Sequence, residues 1–251
     1  ADTRGEEGAT YLWTPCEVRS VLDEAGVDSD AVERFLNDYG LDRAANFEGQ
    51  WHLAAVRRAG RVADVRPLDD TVRRVLLARR NRRPQPKRDD KSLLGLNALL
   101  ATGLMRAGSR LGCEDWRAMG LELLDRLIPA NVPVADLPTG RLGERASVPA
   151  FLDDYAALLE AQGEALLVAP DPARMAVVES IVAVVRERFA DESGAFRLSH
   201  AGHGAPVGNL VVFTDDAQPA GNAILADTLV RLGYVLGRTD WLALAEGIFK
   251  A

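Results

Sequence analysis

From residue 87 to the end of the chain, apolar positions recur at steps of three and four residues in six long runs. That spacing predicts helices, and the runs fall into three pairs. The first pair opens at Asp89-Asp90, carries Leu93, Leu94, Leu96, Leu99, Leu100, Leu104 and Met105, and stops near residues 108–112. Its partner covers 114–128, with Met119, Leu123 and Leu127 on one stripe. The second pair is 149–168 and 171–189, split by Ala169-Pro-Asp-Pro172, a helix stop followed by a cap residue and a first-turn proline. The third pair is 217–236 and 240–251. In each pair the first helix is small and apolar nearly all round: Ala98, Ala101, Gly103 and Ala107; Ala156, Ala157 and Ala161; Ala223, Ala226 and Gly233. The second is amphipathic, with Arg117, Glu122 and Arg126, or Arg186, Glu187 and Arg188, on its polar side. A helix apolar all round is buried, and an amphipathic one keeps a face in water. The expectation is an all-α fold, a partial (α/α) toroid of inner helices ringed by outer ones.

The turn inside the pairs repeats as well. Leu111-Gly112-Cys-Glu-Asp-Trp116 matches Leu236-Gly237-Arg-Thr-Asp-Trp241. Gly is expected to end one helix in the left-handed region, an acidic or hydroxyl residue to cap the next, and Trp to pack on its partner. Short β signals interrupt the helices. Residues 194–199 and 207–213 read as a hairpin with a glycine-containing tip, overhanging the inner-helix mouth. The first 86 residues are less regular: a strand over 10–13, helices over 15–25 and 28–39, an extended piece over 50–56 and a basic helix over 69–82. The pattern thus divides the chain into 1–86, an irregular N-terminal part of the toroid, and 87–251, three helical hairpins. Both ends cut into structure, and a segment of a longer chain is expected.

Three aspartate pairs stand before the inner helices: Asp89-Asp90, Asp153-Asp154 and Asp215-Asp216, separated by 64 and 62 residues. A nearly constant step marks a repeated unit. In a toroid the inner helices start at one end, so the pairs are expected around one mouth. Paired carboxylates can act as general acid and base, as in glycoside hydrolysis. The alternative is that each caps its helix. Asp90, Asp154 and Asp216, nearer the helices, are the catalytic candidates, with Asp89, Asp153 and Asp215 as binding candidates. Asn97 and Asn222 lie farther into inner helices, where an amide is costly to bury without partners. They are candidates for hydroxyl binding or for links between helices. Lys91 and Tyr155 each follow an aspartate pair and could hold a polar or anionic ligand, an ion pair being the alternative for Lys91.

A net charge of −7 argues against a phosphate-backbone partner. The basic run Arg79 to Arg88 reads as a helix end and linker, so no nucleic-acid partner is expected. Cys16 and Cys113 stand in unrelated contexts, and no metal or cofactor is implied. His200-x-x-His203 has metal-ligand spacing but sits in a Gly-rich loop, and none of His52, His200 and His203 lies on an inner helix. No apolar run is long enough to span a bilayer, so no membrane partner is expected, and a cytoplasmic location is the default.

Five stretches together resemble the spermatogenesis-associated protein 20 family, the bacterial YyaL-like thioredoxin-domain proteins. They are Gly5-Glu-Glu-Gly-Ala-Thr-Tyr-Leu-Trp-Thr-Pro15, Tyr39-Gly-Leu with Asn46-Phe-Glu-Gly49, Arg88-Asp-Asp-Lys-Ser-Leu-Leu-Gly-Leu-Asn97, Leu152-Asp-Asp-Tyr-Ala-Ala-Leu-Leu159 and Asp215-Asp-Ala-Gln-Pro-Ala-Gly-Asn222. The resemblance implies a six-hairpin glycosidase-like (α/α) toroid, following a thioredoxin-like domain in the full-length chain. It supplies no reaction. The family usually has Ser-Trp-Asn where this chain has Gly95-Leu96-Asn97, and Pro-Ser-Gly-Asn where it has Pro219-Ala-Gly-Asn222. The functional expectation is a carbohydrate-active or carbohydrate-binding toroid, glycosidase- or epimerase-like, with a small-molecule sugar ligand. The alternative is a non-catalytic scaffold accompanying the thioredoxin-like domain.

Overall fold

The computed structural model describes residues 2–3, 5–55, 69–143, 145–200 and 210–251. They form two compact units, Ala1–Asp89 and Asp90–Ala251.

In the first unit, strands β1 (Asp2–Thr3) and β2 (Glu6–Glu7) pair antiparallel, and three helices follow. Each helix starts where a side-chain oxygen meets an orphan N–H. Thr14 accepts from Glu17 N ahead of α1 (Pro15–Glu24), Asp28 from Ala31 N ahead of α2 (Ser29–Asp38), and Asp69 from Thr71 N and Val72 N ahead of α3 (Asp70–Asn81). Their apolar stripes (Val18 and Leu22, Val32, Phe35 and Leu36, Val72 and Leu76) close on Trp13 and Leu41 in one core. The strand expected over 10–13 is instead a turn, because Gly8 O accepts from both Tyr11 N and Leu12 N. Only Trp13 of that segment pairs, in a bridge to Trp51. Gln50 and Trp51 make bridges, whereas Val56 lies outside the described residues.

The second unit is three helical pairs: α4 (Leu94–Leu111) with α5 (Glu114–Leu127), α6 (Leu152–Val168) with α7 (Pro172–Arg188), and α8 (Gly221–Leu236) with α9 (Thr239–Lys250). Helix α6 packs between α4 and α8, and each of the three also packs on its own partner. The inner row is therefore α4, α6, α8, as the small apolar helices predict. Ala156, Ala157, Ala161 and Ala165 are buried on α6, where short side chains let its neighbours approach. The repeated turn recurs in space: Gly112 and Gly237 both adopt φ 68°, ψ 25°, ending α4 and α8. The expected caps do not: Cys113 and Arg238 occupy the cap positions of α5 and α9 and make no side-chain cap bond. Trp241 is buried beneath the Arg238 guanidinium, 4.4 Å from its ring centroid, whereas Trp116 stays 43% exposed.

Tertiary pairing moves the helix starts. Ser92–Leu93 form β3, which pairs with β4 (Gly140–Leu142), itself paired with β5 (Arg145–Ala146), a small sheet absent from the predicted pattern. That pairing delays α4 to Leu94 and leaves Asp89-Asp90 outside the helix. Helix α6 opens at Leu152 because residue 149 is bridged to Pro138 and Ala150 N donates to Leu137 O. Helix α8 opens at Gly221, not 217, because Asp216 N donates to Gln218 O in a preceding turn. Of the expected hairpin, Arg197 bridges Val211 and Leu198 N donates to Leu210 O. His203 and Val207 lie outside the described residues.

Two glycines of α4 give opposite expectations for one substitution. A Cβ on Gly108 would lie 2.6 Å from Arg117 N on α5, so Gly108→Ala is expected to lower stability by about 1–3 kcal/mol. A Cβ on Gly103 would meet nothing within 4 Å, so Gly103→Ala is expected to raise stability by about 0.5–1 kcal/mol. Urea unfolding of the two variants beside the parent reads the signs.

Candidate functional site

The N-terminus of α6 is the meeting point of the inner row. Its cap residue, Phe151, has no side-chain acceptor, and its own N–H donates to Asp154 Oδ2 at 3.0 Å. Asp154 Oδ1 accepts from Gly95 N at 3.0 Å, at the second residue of α4. Asp153 Oδ1 accepts from Gly221 N at 2.9 Å, at the first residue of α8. Two adjacent carboxylates of one helix thus cap its two neighbours, each placed against the positive end of a helix dipole. Glycine is needed at both receiving positions: a Cβ on Gly95 would stand 2.9 Å from Asp154 Oδ1, and one on Gly221 would overlap Asp153 Oδ1.

The two carboxylates are left in different states. Asp154 is buried, and each of its oxygens holds a backbone N–H. Asp153 is half-buried, and among the described residues only its Oδ1 has a donor. Burial raises the Asp153 pKa above its ordinary 3.8; the bond from Gly221 opposes the rise and the Asp154 charge adds to it. Both aspartates line a cavity of about 290 Å³ together with Leu93, Leu96, Phe151 and Gln218. Thr139, beside the β3–β5 sheet, and Leu198, from the bridged segment, complete the lining.

The other sequence candidates do not line this cavity. Asp89 closes the first unit, and Asp90 and Lys91 open the second; all three are exposed. Asp215 and Asp216 are exposed, and Asp215 Oδ1 accepts from Ala220 N, next to the start of α8. Only the middle aspartate pair therefore lies in the first turn of its helix. Asn97 turns back on its own helix start, donating to Leu93 O at 2.7 Å and, more weakly, to Ser92 Oγ at 3.4 Å. Asn222 is fully buried: its Oδ1 accepts from Phe196 N, and its Nδ2 donates to Phe196 O and Val212 O. Tyr155 belongs to the core rather than the mouth. It is 2% exposed, its ring lies 5.6 Å from that of Phe189, and its hydroxyl donates to Val134 O. Burial pushes its pKa up to about 12. Gln218, Phe151, Thr139 and Leu198 are lining residues that the sequence reading does not single out. Gln218 carried a signal, as part of the Asp215 to Asn222 stretch, and so did Leu198, in the hairpin expected to overhang the mouth.

A second polar cluster ties the inner row farther along. Glu164 of α6 accepts from Arg106 of α4 at 2.9 Å and from Arg231 of α8 at 3.0 Å. Arg106 also reaches Glu160 at 3.0 Å. Burial works against the Glu164 charge, but the two guanidiniums outweigh it and lower its pKa. Among the described residues no group of three or more His, Cys, Asp or Glu could hold a metal ion, and no helix is long and apolar enough to cross a membrane.

No protein-family model matches the chain. Spermatogenesis-associated protein 20 of Rattus norvegicus is 27% identical over 94% of the chain, and that of Homo sapiens 26% over 95%. The chain is a relative of spermatogenesis-associated protein 20. It spans about a third of the length of these curated relatives, 34% and 35%. Among solved structures, a GH76 alpha-mannanase of Bacteroides thetaiotaomicron superposes with a TM-score of 0.52 at 13% identity, covering 96% of this chain and 57% of that one. The fold is accordingly an (α/α) toroid of the glycosidase-like type, of which this chain is a part.

The capping geometry separates the two aspartates by stability. In Asp154→Asn an NH2 group replaces one of two engaged acceptors, and a loss of about 1–2 kcal/mol is expected. Asp153→Asn keeps an oxygen for Gly221 N and removes a half-buried charge, so little or no loss is expected at neutral pH. The pH dependence has opposite signs at two sites. Because the folded pKa of Asp153 is raised, its ionisation penalty is absent below 3.8 and grows as pH climbs through the folded value. Asp153→Asn should therefore gain on the parent as pH rises. Glu164 has a lowered pKa, so its contribution is present above 4.5 and is lost as pH falls through its folded value. The deficit of Glu164→Gln should shrink in acid. Urea unfolding across a pH series checks both.

Proposed function

We propose that this chain supplies part of a carbohydrate-active (α/α) toroid, whose sugar ligand enters the cavity at the N-terminal end of the inner helices. The observation that carries this reading is Asp153, a carboxyl with one oxygen fixed by Gly221 N and the other without a donor among the described residues, in that cavity. A fixed acceptor of this kind suits a sugar hydroxyl. A carboxyl that keeps its proton above the ordinary range also suits general acid chemistry. The proposal therefore prefers Asp153 to Asp154 as the reactive member of the pair, since both oxygens of Asp154 hold backbone donors. A glycosidase would need a second carboxyl roughly 5–10 Å away, and Asp90 and Asp216 are the sequence candidates for it. Leu96 lines the cavity where the family resemblance leads one to expect tryptophan, so an aliphatic contact replaces a stacking platform. The GH76 relative of the fold, by its name, acts on a mannan.

A second reading is favoured by a specific observation. Asp154, Asp215, Asn97 and Asn222 all bond backbone groups, as the framework of a non-catalytic scaffold for a thioredoxin-like domain would. Thermal-shift titration with mannose, mannobiose, glucose and glucose 6-phosphate separates the two. The carbohydrate reading expects a saturable upward shift that Asp153→Asn abolishes, at a basal Tm no lower than the parent's. No shift with any of the four supports the scaffold.

A further inference from the structure

The first unit holds a site of different chemistry, on the basic helix α3. Most arginines at or just beyond this helix have partners: Arg73 pairs with Asp70, Arg79 and Arg83 with Glu17, and Arg74 Nε donates to Asp70 O. Arg80 differs. Among the described residues its guanidinium makes no ion pair or hydrogen bond, and its Nε is buried with no acceptor. Its guanidinium lies over the Tyr11 ring, with Cζ 5.6 Å from the centroid. Nε itself is closed off, but a guanidinium charge without a protein counter-ion at a cleft wall can be met by a bound anion through its terminal N–H groups.

Arg80 stands on the wall between two clefts, which also share Trp13 and Leu53. One, of about 360 Å³, has Tyr11 and Phe47 on its sides but also Glu7, a carboxylate that would repel an anion. The other, of about 320 Å³, is lined by Phe35, Tyr39, Leu76 and Leu77, with Arg73 as a second cation and, among the described residues, no acidic one. The rings of Phe35 and Tyr39, stacked on each other at 4.7 Å, make up part of its wall. Its volume is at the small end for a ligand site. The aromatic and aliphatic lining suits an aromatic ring, and the charge suits one anionic group.

We propose that the cleft between α2 and α3 binds a small planar aromatic anion, an aryl phosphate or aryl carboxylate. Its ring lies among Phe35, Tyr39 and Leu76, and its anionic group lies on Arg80. Inorganic phosphate alone would forgo the apolar lining, and a neutral ring would leave the Arg80 charge without a counter-ion. This site lies wholly within the first unit and is independent of the carbohydrate reading.

Calorimetric titration of the 251-residue chain with 1-naphthyl phosphate tests it, with 1-naphthol and inorganic phosphate as half-probes. Saturable binding is expected for 1-naphthyl phosphate, with each half-probe weaker by about tenfold or more, the scale of one charge-assisted contact. Arg80→Gln is expected to weaken 1-naphthyl phosphate by about tenfold, with an unchanged circular dichroism spectrum because no protein ion pair is lost. Arg80→Lys keeps the charge without the planar fork, and should retain the fold and part of the affinity. Absence of binding, equal binding of 1-naphthol, or undiminished binding by both Arg80 variants would overturn the proposal.

Discussion

The second unit depends on one arrangement: two neighbouring carboxylates at the start of α6 capping the helices on either side. A helix N-terminus leaves orphan N–H groups, and a terminus packed among others has little access to water to satisfy them. Asp154 serves α4 and its own helix, while Asp153 serves α8. The starts of the three inner helices are thereby registered against one another to hydrogen-bond precision. The glycines at 95 and 221 and the placement of the cavity follow from that registration. What the sequence presents as three equivalent aspartate pairs is in space one working pair and two pairs outside the helices.

The layering of the helices was legible because burial leaves a compositional mark. Alanines at 98 and 101, at 156, 157 and 161, and at 226 label helices packed on several sides, and charged stripes label their partners. The turns at Gly112 and Gly237 were legible because a left-handed C-cap favours glycine. Helix starts were not, wherever a distant segment set them. Ser92 and Leu93 read as helix until residues 140 and 141 pair with them. Asn97 and Asn222 look alike as polar interruptions of apolar helices. One bonds its own first turn, and the other ties α8 to the segment carrying Phe196 and Val212. No local pattern distinguishes them, because the difference lies in what packs opposite. Tyr155 follows the same rule: one position past Asp154 the helix has turned by about 100°, enough to face the core.

Most polar groups of the inner row are engaged in holding it together. Asp154, Asn222 and Glu164 are satisfied by backbone or by arginine, as buried polar groups generally must be. Asp153 combines an oxygen without a donor among the described residues with a place on the cavity wall, whereas Gln162 Oε1 and Thr228 Oγ1, also without partners there, are buried within the row. In this chain the useful pointer toward function is therefore residual bonding capacity at a cavity wall, not acidity. The same criterion picks out Arg80 in the first unit, on a helix whose other arginines are engaged.

The inner row is fastened twice, at the caps and at Glu164, ten residues and so about 15 Å farther along α6. A single fastening would leave each neighbouring helix able to swivel about it like a door on one pin. Two on the same helix remove that freedom, so α4, α6 and α8 behave mechanically as a plate. Any movement that admits or releases a molecule at the mouth must then come from the covering segments around Leu198 and Gln218, with the floor beneath them standing still.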